Sequence, residues 1–210
     1  MTHDESTPPN DGDRDGLEQD AEILKAYREV AELCRWIPGE GQEAVDARLS
    51  LFHAFGRLAE LEESIGQNAA GLAAREQATS IIRQVQKLTG DQVLLRLMEA
   101  TQLNGRGFTL REMENWTDAL EIYNELAVLL DDGADGSATA LSLMGAAQDG
   151  IGDIQDTLGD PAARDAAWER ARILFQSAIH AINTDPGAAI PVEGLQLMLA
   201  DVIAKQGEFL

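Results

Sequence analysis

A three-residue punctuation mark recurs along this chain at nearly constant distance, and its rhythm constrains the fold more than any single segment does. It stands at Ile65-Gly66-Gln67, near Met113-Glu114-Asn115, at Leu158-Gly159-Asp160 and at Gln206-Gly207-Glu208. Its central residues, Gly66, Glu114, Gly159 and Gly207, lie 48, 45 and 48 residues apart. A unit of this length is one helical hairpin that cannot bury its apolar face alone, so successive units stack into an array. A shift of 93 residues makes the repetition denser, placing Gly66 on Gly159, Ala73-Ala74 on Ala166-Ala167, Ala78 on Ala171 and Ile81-Ile82 on Leu174-Phe175. Small residues early in a helix let two backbones approach, and the later large ones fill the widening gap.

The runs between these marks are rich in Ala, Leu, Glu, Gln and Arg, which favour helix, and hold no long alternating β-branched stretch. Residues 17–37 carry Ile23, Tyr27, Val30, Cys34 and Ile37 at helical spacing before Pro38-Gly39. Further helices are expected over 42–65, 68–88, 92–113, from Asn115 or Thr117 to Leu130, over 137–158, from Asp160-Pro161 to 183, and over 189–206. Asp91, Thr117 or Asn115, and Asp160 are the expected N-caps, the last with proline at the first helical position, and Ser137 is the expected start of its helix. Residues 1–16, with Pro8-Pro9, Gly12 and Gly16, are too polar to bury a core and are expected to form a disordered acidic tail.

The formal charge is −21, from 37 acidic residues against 16 Lys and Arg. Phosphate backbones and anionic membrane surfaces repel such a chain, so nucleic acid and membrane are disfavoured and a basic protein segment or a cation is the natural counterpart. Cys34 is the single cysteine, so no internal disulfide can form. The N-terminus has no secretory pattern and no apolar run is long enough to span a bilayer, so a cytoplasmic location is expected.

The pattern resembles the tetratricopeptide repeat. The best unit, 100–133, has Leu103, Gly107 and Leu110 in its first helix and Ala119, Tyr123 and Leu126 in its second. In 145–178, Gly152, Gly159, Trp168 and Ala171 fit, while Gln148, Gln155 and Arg164 depart. In 52–85, Phe55, Leu58, Ala59 and Ala78 fit, while Glu62, Gly71 and Arg75 depart. The last unit has Leu199, Ala200, Ile203 and Gly207 before the sequence ends. The interval exceeds the standard 34 residues, so the helices are longer than the family's. The implied fold is all-α: antiparallel helical hairpins stacked as a short right-handed solenoid of about eight helices. A domain over 17–210 would hold hairpins at 42–88, 92–130 and 137–183, then a terminal helix at 189–206.

The resemblance also implies a function. The first helix of each hairpin would line a concave face, on which Glu60 and Glu63, then Asn104, Phe108 and Arg111, then Asp149, Asp153 and Asp156, then Asp201 would fall. The three aspartates share one helix face at i, i+4, i+7, a spacing at which like charges cost a few tenths of a kcal/mol each. They would form an acidic groove for a Lys/Arg-rich segment, with Asn104 holding peptide backbone and Phe108 offering a stacking surface. The plain alternative is a solvated face on an acidic protein. The expected role is therefore a non-catalytic scaffold or adaptor, a monomer or weak homodimer through the C-terminal helix.

Two other readings stay open. Asp11, Asp13, Asp15, Gly16 and Glu22 match a calcium-loop pattern, so the tail of a helical regulatory subunit could bind a cation or a basic partner. A hydrolase with a site between helices is the other, but His3, His53 and His180 are scattered and the common nucleophile and phosphate motifs are missing. Cys34 lies on the apolar face of its helix, and Trp116 and Trp168 suit hairpin packing. No catalytic residue and no cofactor is expected. The terminal helix should pack Leu195, Met198, Leu199, Val202 and Ile203 back onto the 161–183 helix, leaving Leu197, Ala200 and Ala204 less covered.

Overall fold

The computed structural model describes residues 25–29, 39–131, 136–184 and 191–207. Among them the regular elements are α1 Gln42–Ser64, α2 Asn68–Thr89, α3 Val93–Glu112, α4 Trp116–Asp131, α5 Ala138–Thr157, α6 Pro161–Thr184 and α7 Val192–Gly207, and residues 25–29 are also helical. The tail 1–16, the calcium-loop pattern with Asp11, Asp13, Asp15 and Glu22, and Cys34 lie outside the described residues.

The recurring mark is a recurring turn. At Gly66, Glu114 and Gly159 the backbone enters the left-handed region, with φ of 77°, 58° and 75°. Each of these residues donates its N–H back three positions, to Glu63, Arg111 and Asp156, over 2.9–3.0 Å. The following residue donates back five, Gln67 to Glu62, Asn115 to Leu110 and Asp160 to Gln155, over 2.8–2.9 Å. This pair of bonds is the Schellman closure, which satisfies the last carbonyls of a helix and reverses the chain. Gly207 does not follow suit, because its φ is not left-handed and α7 runs through it.

Glu114 holds this conformation with a side chain that disfavours it. Replacing Glu114 with glycine removes a left-handed penalty of about 1–2 kcal/mol and adds glycine entropy of roughly half that, so stability should rise by about 0.5–1 kcal/mol. Urea denaturation reads this directly, and a loss of stability would show that the turn does not limit this hairpin.

The cap expected at Asp160 forms, and Ser137, the expected start of its helix, caps α5. Ala140 donates its N–H to Ser137 Oγ over 3.3 Å and Ala163 to Asp160 Oδ1 over 3.0 Å. Asp91 does not cap α3; the N-cap position falls on Gln92, and Asp91 Oδ2 accepts from Arg96 Nη1 at 3.1 Å instead. The terminal helix begins at Val192 rather than near 189, with Pro191 just outside it, as suits a residue tolerated only at a helix start.

Among the described residues the apolar side chains gather in three successive layers and a smaller cluster of Leu58, Ala59 and Ala74 against Tyr27 at the first hairpin. The first joins α1, α2 and the start of α3 through Phe52, Ile82 and Leu95; the second joins α3, α4 and α5 through Leu103, Tyr123 and Ile154; the third joins α5, α6 and α7 through Trp168, Phe175 and Leu195. Each hairpin thus shares its core with the first helix of the next, the arrangement of a stacked array. A packing rule repeats within it: glycine in one helix meets an aromatic ring sixteen residues later. A Cβ on Gly107 would lie 2.5 Å from the Tyr123 ring, and one on Gly152 would lie 2.2 Å from the Trp168 ring. In the first hairpin the pair is Ala59, fully buried, and Arg75, so a polar network replaces the ring there.

The end of the array differs from expectation in one respect. Leu195 and Val202 are buried and Leu199 packs beside them, but Met198 and Ile203 are about half exposed. At 100° per residue, Leu195, Leu199 and Val202 form one narrow stripe, which is all that a single neighbouring helix can cover. Leu197, Ala200 and Ala204 are exposed, as expected.

Candidate interaction face

α1, α3 and α5 are the first helices of their hairpins, and together with α7 they carry the residues singled out for partner binding. α3 packs directly against α5 and α5 touches α7, whereas α1 and α3 scarcely approach through their backbones. The face therefore has a closed end and a split end.

At the closed end the carboxylates converge on one ammonium group. Lys205 Nζ of α7 lies 2.9 Å from Asp149 Oδ1, 2.9 Å from Asp153 Oδ1 and 3.0 Å from Asp201 Oδ2. Asp153 also accepts from Arg111 Nη1 at 2.8 Å and from Trp168 Nε1 at 3.3 Å. Asp156, one turn further, accepts from Arg164 Nη1 at 2.9 Å. The costly i, i+4, i+7 acids are thus compensated by cations from three other helices. Burial pushes the Asp149 carboxyl above the usual carboxylate range, against the hydrogen bond from Lys205. Burial opposes the charge on Lys205, but its bonds to Asp149, Asp153 and Asp201 outweigh it and raise its pKa. Phe108 stands half exposed on α3, with the Arg111 guanidinium 5.1 Å from its ring centroid. Asn104 lies half-buried on the same helix, one turn before Phe108.

At the split end Glu60 and Glu63 go separate ways. Glu60 is exposed and accepts from Arg57 Nη1 at 2.5 Å. Glu63 turns inward, where Arg75 donates from Nε and Nη2 over 2.7 and 2.6 Å and Thr109 Oγ1 donates over 2.5 Å. The neighbouring Glu62 is buried and accepts from Arg28 Nε at 2.9 Å, which fastens the helical residues 25–29 to α1. Arg75 further donates from Nη1 to Gln102 Oε1 at 3.3 Å. A groove of about 280 Å³ opens between α1 and α3 above this network, with Phe52, His53, Gly56, Glu60, Met98 and Gln102 in its wall.

The nine candidate residues are carried by α1, α3, α5 and α7, with Glu63 turned inward, and their carboxylates are not an open row. Glu60, Glu63, Asp149, Asp153, Asp156 and Asp201 each have a cation of the same chain within 3.0 Å. Sequence reasoning missed Gln102 and Gly56, which carry no local pattern and meet only because α1 and α3 diverge. A second cavity, of about 550 Å³, lies among the ends of α2, α3 and α4 and is walled by Arg83, Lys87, Arg96 and Val128. Arg83 is committed to Glu99 and Glu125 there, and Arg96 pairs with Asp91. Among the described residues no group of three His, Cys, Asp or Glu could hold a metal ion, and no helix is long and apolar enough to cross a membrane.

No protein-family model matches the chain, and no curated protein matches it significantly. Among solved structures it is similar to BtubC from P. vanneervenii, at 15% identity and a TM-score of 0.50, over 92% of this chain and 74% of that one. It also matches MamA 41-end from Desulfovibrio magneticus RS-1 at 14% identity, over 89% of this chain and 96% of that one, and a MamA RS-1 double mutant at 15%, over 88% and 96%. Their TM-scores are 0.28 and 0.30. What is shared with BtubC is the fold: an all-α array of stacked helical hairpins.

Proposed function

We propose that this chain is a non-catalytic interaction scaffold of the tetratricopeptide type, which takes a protein segment across the face formed by α1, α3, α5 and α7. Basic side chains in that segment are favoured. The observation that carries this reading is the convergence of Asp149, Asp153 and Asp201 on one point, three carboxylates to which the chain brings the two cations Lys205 and Arg111. The carboxylate charge in excess of those cations favours a Lys or Arg of the partner, through the strong, charge-assisted class of hydrogen bond. Phe108 beside these carboxylates adds an exposed ring for apolar or cationic contact. The overall charge of −21 steers basic partners toward the chain and mainly speeds encounter.

The test uses a fluorescent, capped decapeptide of alternating Lys, Arg and Ala, titrated by anisotropy at low salt. Replacing Asp149, Asp153 and Asp156 together by Asn should weaken binding about tenfold, or roughly 1.4 kcal/mol. Circular dichroism checks that the variant is folded. Equal affinity in the folded triple variant would refute a role for the acidic stripe.

A further inference from the structure

α7 is built as a first helix, but among the described residues no second helix covers its outer flank. A shift of 48 residues, the spacing from Gly159 to Gly207, sets Leu195 on Ala147, Val202 on Ile154 and Ala200 on Gly152. The structure keeps this register: Ala147 and Ile154 are buried in the second apolar layer, and Leu195 and Val202 in the third. On α3 and α5 the small residue of this register is covered from the following helix, Gly107 by Tyr123 and Gly152 by Trp168. Ala200 instead stands exposed, as does Ala204 one turn on. Leu197 and Ile203 flank them, 73% and 49% exposed. No other described helix exposes two large apolar side chains within two turns of each other.

We infer that this flank is a self-association surface, on which α7 of a second copy packs antiparallel about a two-fold axis at Ala200. Its relief is self-complementary. Leu197, three residues before Ala200, and Ala204, four after it, lie on the same side of the stripe at helical spacing. Reversing one helix about Ala200 therefore sets Leu197 of each copy against Ala204 of the other, a large side chain over a small one. The two Ala200 residues meet at the centre and let the backbones approach. This is the isologous contact that closes a dimer. Charge points to the same occupant. Glu193 is the single charged residue on the stripe, and Asp201 at its edge is already paired with Lys205 at 3.0 Å. The stripe thus offers little to a basic segment, and two copies of a chain with net charge −21 can meet there without burying like charge. A pair of 16-residue helices covers much less than the ~800 Å² per partner of a standard interface, so the dimer is weak, with a Kd of roughly 100 µM. The inference does not depend on the scaffold reading.

Sedimentation equilibrium of the full chain, from about 10 µM to about 1 mM, tests this. The mass should climb from 22.7 kDa toward twice that value and no further. Leu197→Glu and Ala200→Glu each bring two carboxylates into the contact and should raise the Kd about tenfold or more. Both positions are exposed, so the core is untouched, and circular dichroism checks that the variants fold. Val128→Glu adds the same charge at an exposed site on α4 and should leave the Kd within about twofold. Salt should tighten the dimer by screening the two net charges, the reverse of its effect on the basic decapeptide, so self-association and segment binding fail separately. A chain that stays at 22.7 kDa up to about 1 mM overturns the inference and leaves the stripe to a helix of another protein. A dimer that neither substitution on α7 weakens overturns it too, as does a mass that grows past the dimer.

Discussion

Replacing Tyr123 with alanine should lower the unfolding free energy by about 3–5 kcal/mol, the range found when a large buried ring is removed. Tyr123 is 2% exposed and lies between two helices that do not belong to its own position in the chain. Its ring closes against Gly107 of α3 on one side and Gly150 of α5 on the other; a Cβ at those glycines would come within 2.5 and 2.6 Å of it. The ring therefore joins the second hairpin to the first helix of the third. Without it both glycine faces look onto a void too far apart to collapse, so the cavity term adds to the lost transfer energy. Urea denaturation measures the change, and a loss below about 1 kcal/mol would mean that this layer tolerates repacking. Alkaline pH should act on the same residue. Burial pushes the phenol up to about 12 from its ordinary 10, with Arg111 opposing. The unfolded chain gives up that proton first, so stability should fall as pH rises from 10 toward 12.

Replacing Arg75 with methionine should cost about 3 kcal/mol, the low end of the range for breaking a buried ion pair. Glu63 would then keep one hydroxyl donor, Thr109, in a site where only 19% of its side chain reaches water. Gln102 would lose its Arg75 donor as well. The methylenes of methionine can occupy the Arg75 channel, so the cost comes from the stranded carboxylate. Adding Glu63→Gln in the same chain should recover most of it, because a neutral amide is much cheaper to bury than a charge. A double variant as unstable as the single one would place the loss in packing.

These two positions also show how far a sequence of this kind can be read. Tyr123 was legible, because Gly107, Ala119, Tyr123 and Leu126 follow a known packing order and the ring stands sixteen residues after its glycine. The hairpin turns were legible too, since the closure needs a left-handed residue and Gly66 and Gly159 supply it. Glu114 shows that the turn survives without glycine, and Gly207 that glycine does not compel the turn. Asp91 was misplaced as a cap because Arg96, one turn on, competes for the same carboxylate. Met198 and Ile203 were misplaced because period alone does not say how wide a stripe one neighbouring helix can cover.

The candidate face was legible only as a set of positions. Asp149, Asp153 and Asp156 share a face by simple spacing, but the groups that neutralise them come from elsewhere in the chain. Lys205 lies 56 residues beyond Asp149, and Arg111 lies 42 residues before Asp153. Long-range pairing of charges leaves no local trace, so an acidic stripe and a balanced one look alike in sequence. Gln102 was hidden for the same reason, since its orientation depends on Arg75.

The most direct test of the central claim is where a bound segment touches the chain. Isotope-labelled protein titrated with the Lys, Arg and Ala decapeptide can be followed by NMR. The scaffold reading predicts shift changes concentrated at Phe108, Arg111, Asp149, Asp153 and the Lys205 ammonium, weakening as salt is added. Changes confined to second helices, at Ile173 or Val128, or no saturable change at all, would contradict it.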